Sequence, residues 1–123
     1  MLGSEKLMAF IATADAPRAK AFYVNVLGLR LVSDEEWAVV FDAQGTMLRM
    51  QKAPSVKPLP YTALGWQVPD IAHAVATLRD KGVSFERYDH LPQDAAGVWT
   101  TRDGSKVAWF KDPDGNLLSL TQF

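Results

Sequence analysis

The chain contains no cysteine, which excludes a disulfide scaffold, thiolate metal sites, thiol redox chemistry and a cysteine nucleophile. Histidine is nearly as scarce, and the two present, His73 and His90, permit at most a thin imidazole site. No apolar run approaches the ~18 residues of a membrane span. The start, Met1-Leu2-Gly3-Ser4-Glu5-Lys6, lacks the basic and apolar regions of a secretory leader. Neither charge sign dominates: 13 basic and 14 acidic residues leave a net charge of −1. They are dispersed, so there is no basic patch to track a nucleic-acid backbone. A glycine-rich phosphate loop, a nucleophile elbow and a His-Glu metalloprotease run are missing as well. The expectation is a cytoplasmic protein with neither nucleic acid nor membrane as a partner.

What is present is a core: 48% of the 123 residues are hydrophobic, enough for one domain over residues 1–123. Pro54, Pro58 and Pro60 interrupt it, denying the backbone both helix and regular ladder pairing. The chain therefore reads as module one over 1–52, a proline-rich linker over 53–60 and module two over 61–123. In module one a short apolar segment, Leu7 to Ala12, leads to Asp15, a good helix N-cap, with Pro17 tolerated in the first turn. Ala19, Phe22, Tyr23 and Val26 form one apolar stripe, and Gly28 ends the helix. In module two Tyr61 to Val68 leads to the cap Asp70, a stripe of Ile71, Ala74, Val75 and Leu78, and the stop Gly82.

Strand-like runs follow each helix. In module one they are Leu29 to Val32, Trp37 to Phe41 and Met47 to Gln51. Module two has Val83 to Tyr88, then Val98 to Thr101 and Lys106 to Phe110 around an Arg102-Asp103-Gly104 turn, then Leu117 to Gln122. The phrase Gly45-Thr46-Met47-Leu48-Arg49-Met50-Gln51 is echoed by Gly115-Asn116-Leu117-Leu118-Ser119-Leu120-Thr121-Gln122. One pattern written twice is an internal duplication. One helix covers one sheet face, so each module leaves the other face to be buried elsewhere, and a curved sheet of both would enclose a cavity.

The helix phrase Ala21-Phe22-Tyr23-Val24-Asn25-Val26-Leu27-Gly28-Leu29, the turn phrase Phe110-Lys111-Asp112-Pro113-Asp114-Gly115-Asn116-Leu117 and the segment Val68-Pro69-Asp70-Ile71 resemble the vicinal oxygen chelate superfamily. That group includes glyoxalase I, extradiol dioxygenases, methylmalonyl-CoA epimerase, fosfomycin resistance proteins and bleomycin-binding proteins. The resemblance implies an α+β fold of two βαβββ modules forming a curved, cup-like mixed sheet, with helices on its outer face. It does not select among the chemistries and binding roles of that fold. Both phrases also have an architectural reading, as a tight turn and as a helix stripe facing a sheet.

The resemblance further implies four metal-ligand positions, supplied by His, Glu or Gln in the family's enzymes. One lies fourteen residues before Phe22, at Met8, and another five before Val68, at Ala63. The third lies four after Gly115, at Ser119, and the repeated phrase places its counterpart at Arg49. None is a normal ligand for a hard or borderline ion, and Arg49 puts a positive charge where the cation would sit. The expectation is no metal and no cofactor. His73 reads as a solvated helix residue; for His90 a cavity-rim proton carrier and a surface-loop residue are both open.

Strand alternation then sorts the faces. Met8, Phe10 and Ala12 share the ligand-position face, with Met47, Arg49 and Gln51, with Ala63, Gly65 and Gln67, and with Leu117, Ser119 and Thr121. Leu7, Ala9 and Ile11, Leu48 and Met50, Leu64, Trp66 and Val68, and Leu118 and Leu120 fall to the helix side. A mixed apolar and polar lining suits a small-molecule site. Arg49 has two readings, a fork for an anionic ligand group or a partner for a nearby acid. Trp99 is the tryptophan chosen for the pocket, while Trp37 and Trp109 stay open among cavity, interface and core. Glu35 and Glu36 read as a solvated turn. The proposed ligand-binding set is thus Met8, Phe10, Met47, Arg49, Ala63, Gln67, Trp99, Leu117 and Ser119. It describes a metal-free binding protein for a partly apolar, anionic small organic molecule, with no catalytic residue assigned. The alternatives are a lyase or dioxygenase-type enzyme with atypical ligands or no metal, and a regulatory dimer with a filled cavity. A homodimer is what the resemblance implies.

Overall fold

A computed structural model describes residues 1–123, which divide into two compact units, Met1–Lys57 and Pro58–Phe123. The first contains β1 (Met8–Thr13), α1 (Ala16–Ala21), β2 (Arg30–Asp34), β3 (Ala38–Ala43) and β4 (Thr46–Lys52). The second contains β5 (Leu64–Gln67), α2 (Ile71–Asp80), β6 (Trp99–Thr100), β7 (Lys106–Lys111) and β8 (Leu117–Gln122). Their sheets have the same order, β1-β4-β3-β2 and β5-β8-β7-β6. In each the first strand runs parallel to the last and the remaining pairs are antiparallel. Two modules of one topology bear out both the α+β class and the duplication, and β4 and β8, the carriers of the repeated phrase, occupy equivalent places.

Both helix caps form as their residues dictate. The Asp15 carboxylate accepts from the Arg18 amide at 3.2 Å, and Asp70 accepts from the His73 amide at 3.1 Å, each satisfying one of the donors a helix start leaves open. After α1 the chain widens into a single π-type turn, Phe22–Val26. Gly28 and Gly82 lie at φ 77° and 92°, where a side chain would be strained, and reverse the chain after each helical segment.

Burial alternates along β1, β4 and β7, whereas four consecutive residues are buried in β3 and in β8. In the first unit Ile11, Ala19, Tyr23, Val39, Phe41, Leu48 and Met50 are buried, with the Tyr23 and Phe41 rings 5.6 Å apart. In the second, Ile71, Val75, Ala108, Phe110, Leu118 and Leu120 are buried. Leu7 departs from its helix-side assignment: it precedes the first paired residue, Met8, and is 80% exposed. Leu64, Trp66 and Val68 are only half-buried, since β5 is a short strand at the sheet edge.

The strand expected over Val83 to Tyr88 is replaced by a stapled loop. Its backbone meets β7 through one antiparallel bridge, Phe85 to Phe110, and the bond from the Glu86 amide to the Trp109 carbonyl at 2.7 Å. Side chains take the backbone groups a ladder would have used. Gln93 accepts from the Tyr88 amide at 2.7 Å and donates to the carbonyls of Glu86 and Gly97 at 2.9 and 2.8 Å. The Arg87 guanidinium donates to the carbonyls of Asp94 and Ala95.

Candidate functional site

In the first unit β1 and β4 lie side by side with Met8 opposite Met47 and Phe10 opposite Arg49. All four side chains stand on the sheet face away from α1, by the alternation that buries Ile11, Leu48 and Met50 on the other. Met8, Phe10 and Met47 remain 40–50% exposed. Arg49 takes the second of its two readings in this state: its Nη2 donates to Glu35 Oε1 at 3.2 Å. The Ser33 hydroxyl donates to the other Glu35 oxygen at 2.8 Å. That hydroxyl, with the guanidinium second, holds the Glu35 carboxyl below its ordinary range. Glu35 is thus the anchor of an arginine on the sheet face away from α1 as well as a turn residue. Trp37, at the turn before β3, is 74% exposed.

In the second unit the corresponding face carries the rest of the expected set. Gly65 is opposite Ser119 and Gln67 opposite Thr121, while the Ala63 amide donates to the Leu117 carbonyl at 2.8 Å. Across β7 and β8, Lys111, Trp109 and Val107 face Leu117, Ser119 and Thr121, and Trp99 pairs with Val107. Ala63 and Gln67 are exposed, whereas Leu117 and Ser119 are buried and form the floor. Gly65 lies close over that floor: a Cβ there would come within 2.8 Å of Ser119 Oγ.

Aromatic rings converge on this face. Trp99 and Trp109 stack with centroids 6.0 Å apart and planes 25° from parallel. Tyr88 meets Trp109 edge-on at 5.4 Å, and His90 extends the row with its ring 5.9 Å from Tyr88. Trp109 and Tyr88 were not chosen from the sequence. The signal for Trp109 was its place between Ala108 and Phe110, both fully buried on the helix side, which sends it to the opposite face. Tyr88 left no such signal, because the loop that carries it has no strand alternation.

A cleft of about 390 Å³ adjoins the row, walled by Pro58, Leu59 and Pro60 on one side and by Tyr88 and Leu117 on the other. The Lys111–Glu86 ion pair, 3.3 Å long, lies at its edge. Burial, with the Glu86 charge second, pushes the Tyr88 phenol above its ordinary pKa, so at neutral pH it is a protonated donor. Apolar walls with a few polar groups match the chemistry of small-molecule sites.

The four positions that the resemblance marks out for metal ligands contain a thioether, a guanidinium paired to a carboxylate, a methyl group and a neutral hydroxyl, at Met8, Arg49, Ala63 and Ser119. That donor set does not fit a divalent ion. No group of three or more His, Asp or Glu side chains is placed to hold one elsewhere. His73 is exposed on α2, and His90 is exposed beside Tyr88. The Asp112 to Gly115 phrase is architectural. Asp112 Oδ1 accepts from the amides of Asp114 and Asn116 at 2.9 Å each, and the Gly115 amide closes the turn on the Asp112 carbonyl.

The model of the family described as Glyoxalase/Bleomycin resistance protein/Dioxygenase superfamily matches residues 7–120. Among solved structures, the chain is similar to a member of that superfamily from Sphaerobacter thermophilus, 27% identical over 100% of both chains, with a TM-score of 0.77. It is also similar to TnmS3, an antibiotic-binding protein from a Streptomyces species, 25% identical over 99% of this chain and 98% of that one, TM-score 0.73. Lactoylglutathione lyase from Agrobacterium tumefaciens shares the fold at 17% identity, covering 96% of this chain and 93% of that one, TM-score 0.73. No curated protein matches the chain in sequence.

Proposed function

Because this chain belongs to the Glyoxalase/Bleomycin resistance protein/Dioxygenase superfamily, we propose that it is a metal-free protein that binds a small, partly apolar organic molecule against its open sheet faces. The observation that carries this reading is the stacked Trp99–Trp109 pair on the sheet face that also carries Ser119. Stacking and apolar contact reward a flat ring system, and the Tyr88 hydroxyl supplies a donor to orient it. The similarity to an antibiotic-binding protein agrees with sequestration as the role. Arg49 receives an anionic ligand group by exchanging its Glu35 partner for it, since a guanidinium fork suits either carboxylate. In this reading Met8, Phe10 and Met47 flank Arg49 on the face of the first unit, and Ala63, Gln67, Leu117 and Ser119 share the face of the tryptophan pair in the second. It includes a cytoplasmic homodimer, with Met8, Phe10 and Met47 as apolar surface for a ligand or a second copy to cover.

Tryptophan-fluorescence titration with a flat aromatic carboxylate, naphthalene-2-carboxylate, tests the reading. Saturable quenching is expected, weakened about tenfold in Trp109→Leu, the size of one lost aromatic contact. Elemental analysis of protein purified without chelator runs alongside. Stoichiometric nickel, zinc, manganese or iron would overturn the metal-free reading in favour of a lyase or dioxygenase.

A further inference from the structure

A second cavity lies in the Pro58–Phe123 unit, at the far end of α2. Its volume is about 490 Å³, and its lining includes Arg79, Ser84, Phe85 and Arg87. That volume falls in the range of small-molecule sites. Its two guanidinium groups are the informative feature. Five ion pairs occur in the chain, and neither Arg79 nor Arg87 takes part in any of them. Two uncompensated positive charges thus meet at one cavity in a chain whose net charge is −1.

Arg87 is also held in place. Its Nη1 and Nη2 donate to the carbonyls of Ala95 and Asp94 at 3.3 and 2.7 Å, which fixes the group without neutralising it. A guanidinium has five N–H donors, so others remain for a ligand. The nearby acid, Asp94, is committed elsewhere: its Oδ1 accepts from the amides of Ala96 and Val98 at 2.9 Å each. Asp80 follows Arg79 directly in the chain but makes no ion pair with it. At the helix end the amides of Lys81, Gly82 and Val83 occupy the carbonyls of Leu78 and Arg79, so these two carbonyls do not draw on the guanidinium donors.

We propose that this cavity binds a small organic anion whose phosphate or carboxylate group is gripped between Arg79 and Arg87, with its apolar part against Phe85. Planar guanidinium forks are suited to such oxyanions, and the Ser84 hydroxyl lines the same space as a further donor.

Titration of isotope-labelled protein with phenyl phosphate, followed by amide NMR, is the test. Saturable shifts are expected at Gly82, Ser84, Phe85, Ala95 and Ala96, weakening as salt is raised. Arg79→Gln should reduce affinity about tenfold, the loss of one charge-assisted contact, while keeping the thermal midpoint of the parent. Arg79 is chosen because Arg87 also staples its loop. Trp109→Leu, which disables the site on the open sheet face, should leave these shifts unchanged. Absence of saturation, unchanged affinity in Arg79→Gln, or shifts of equal size at lysines elsewhere would overturn the proposal.

Discussion

At the scale of single residues, Arg49 rests in this structure against Glu35, a residue assigned only to a solvated turn. The pair is half exposed and is an electrostatic device rather than a stability element. Its sign can be worked out. Folding lowers the Glu35 pKa, so its contribution is present in full above the unfolded carboxylate range and is lost as pH falls through the folded value. Glu35→Gln should therefore lower the melting temperature slightly near neutral pH and leave it unchanged in strong acid. A parallel shift at every pH would contradict this account. Gly65 and Ser119 were legible only as face-mates. That a Cβ at 65 would crowd the Ser119 hydroxyl is a matter of sub-ångström packing that no spacing rule reaches.

At the scale of elements, both helices were readable because their signals are local: an aspartate cap, a stripe at helical spacing and a glycine stop. The cap contact of α2 gives a direct check. Asp70→Ala should cost about 1 kcal/mol in denaturant unfolding through the lost bond to the His73 amide. The Val83 to Tyr88 run was misread as a strand because its apolar residues satisfy the alternation rule, while the residue that diverts its backbone, Gln93, is a polar side chain further along the chain. Gln93→Ala removes three hydrogen bonds at once and leaves partly buried groups unmet. A loss of about 1–3 kcal/mol is expected, with faster hydrogen exchange at the Tyr88 amide. Unchanged exchange there would mean that the contacts to β7 and the Arg87 bonds hold the loop without Gln93.

At the scale of the whole molecule, Met8, Phe10 and Met47 leave apolar surface exposed on the first unit, and the proposed homodimer gives it a covering partner. Light scattering should give twice the chain mass, and Phe10→Asp should shift the population to monomer without unfolding it; a monomeric parent protein would remove the dimer from the functional reading. The sequence by itself determined the α+β class, the duplicated module and both helix caps, all of which follow from periodicity and punctuation. Only the tertiary structure decided that Trp109 and Tyr88 join Trp99, that Glu35 holds Arg49, and that Arg79 and Arg87 share a cavity. Those pairings join residues from different helices, strands and loops, and their distances depend on strand register and loop path. A pattern read along one chain segment carries neither.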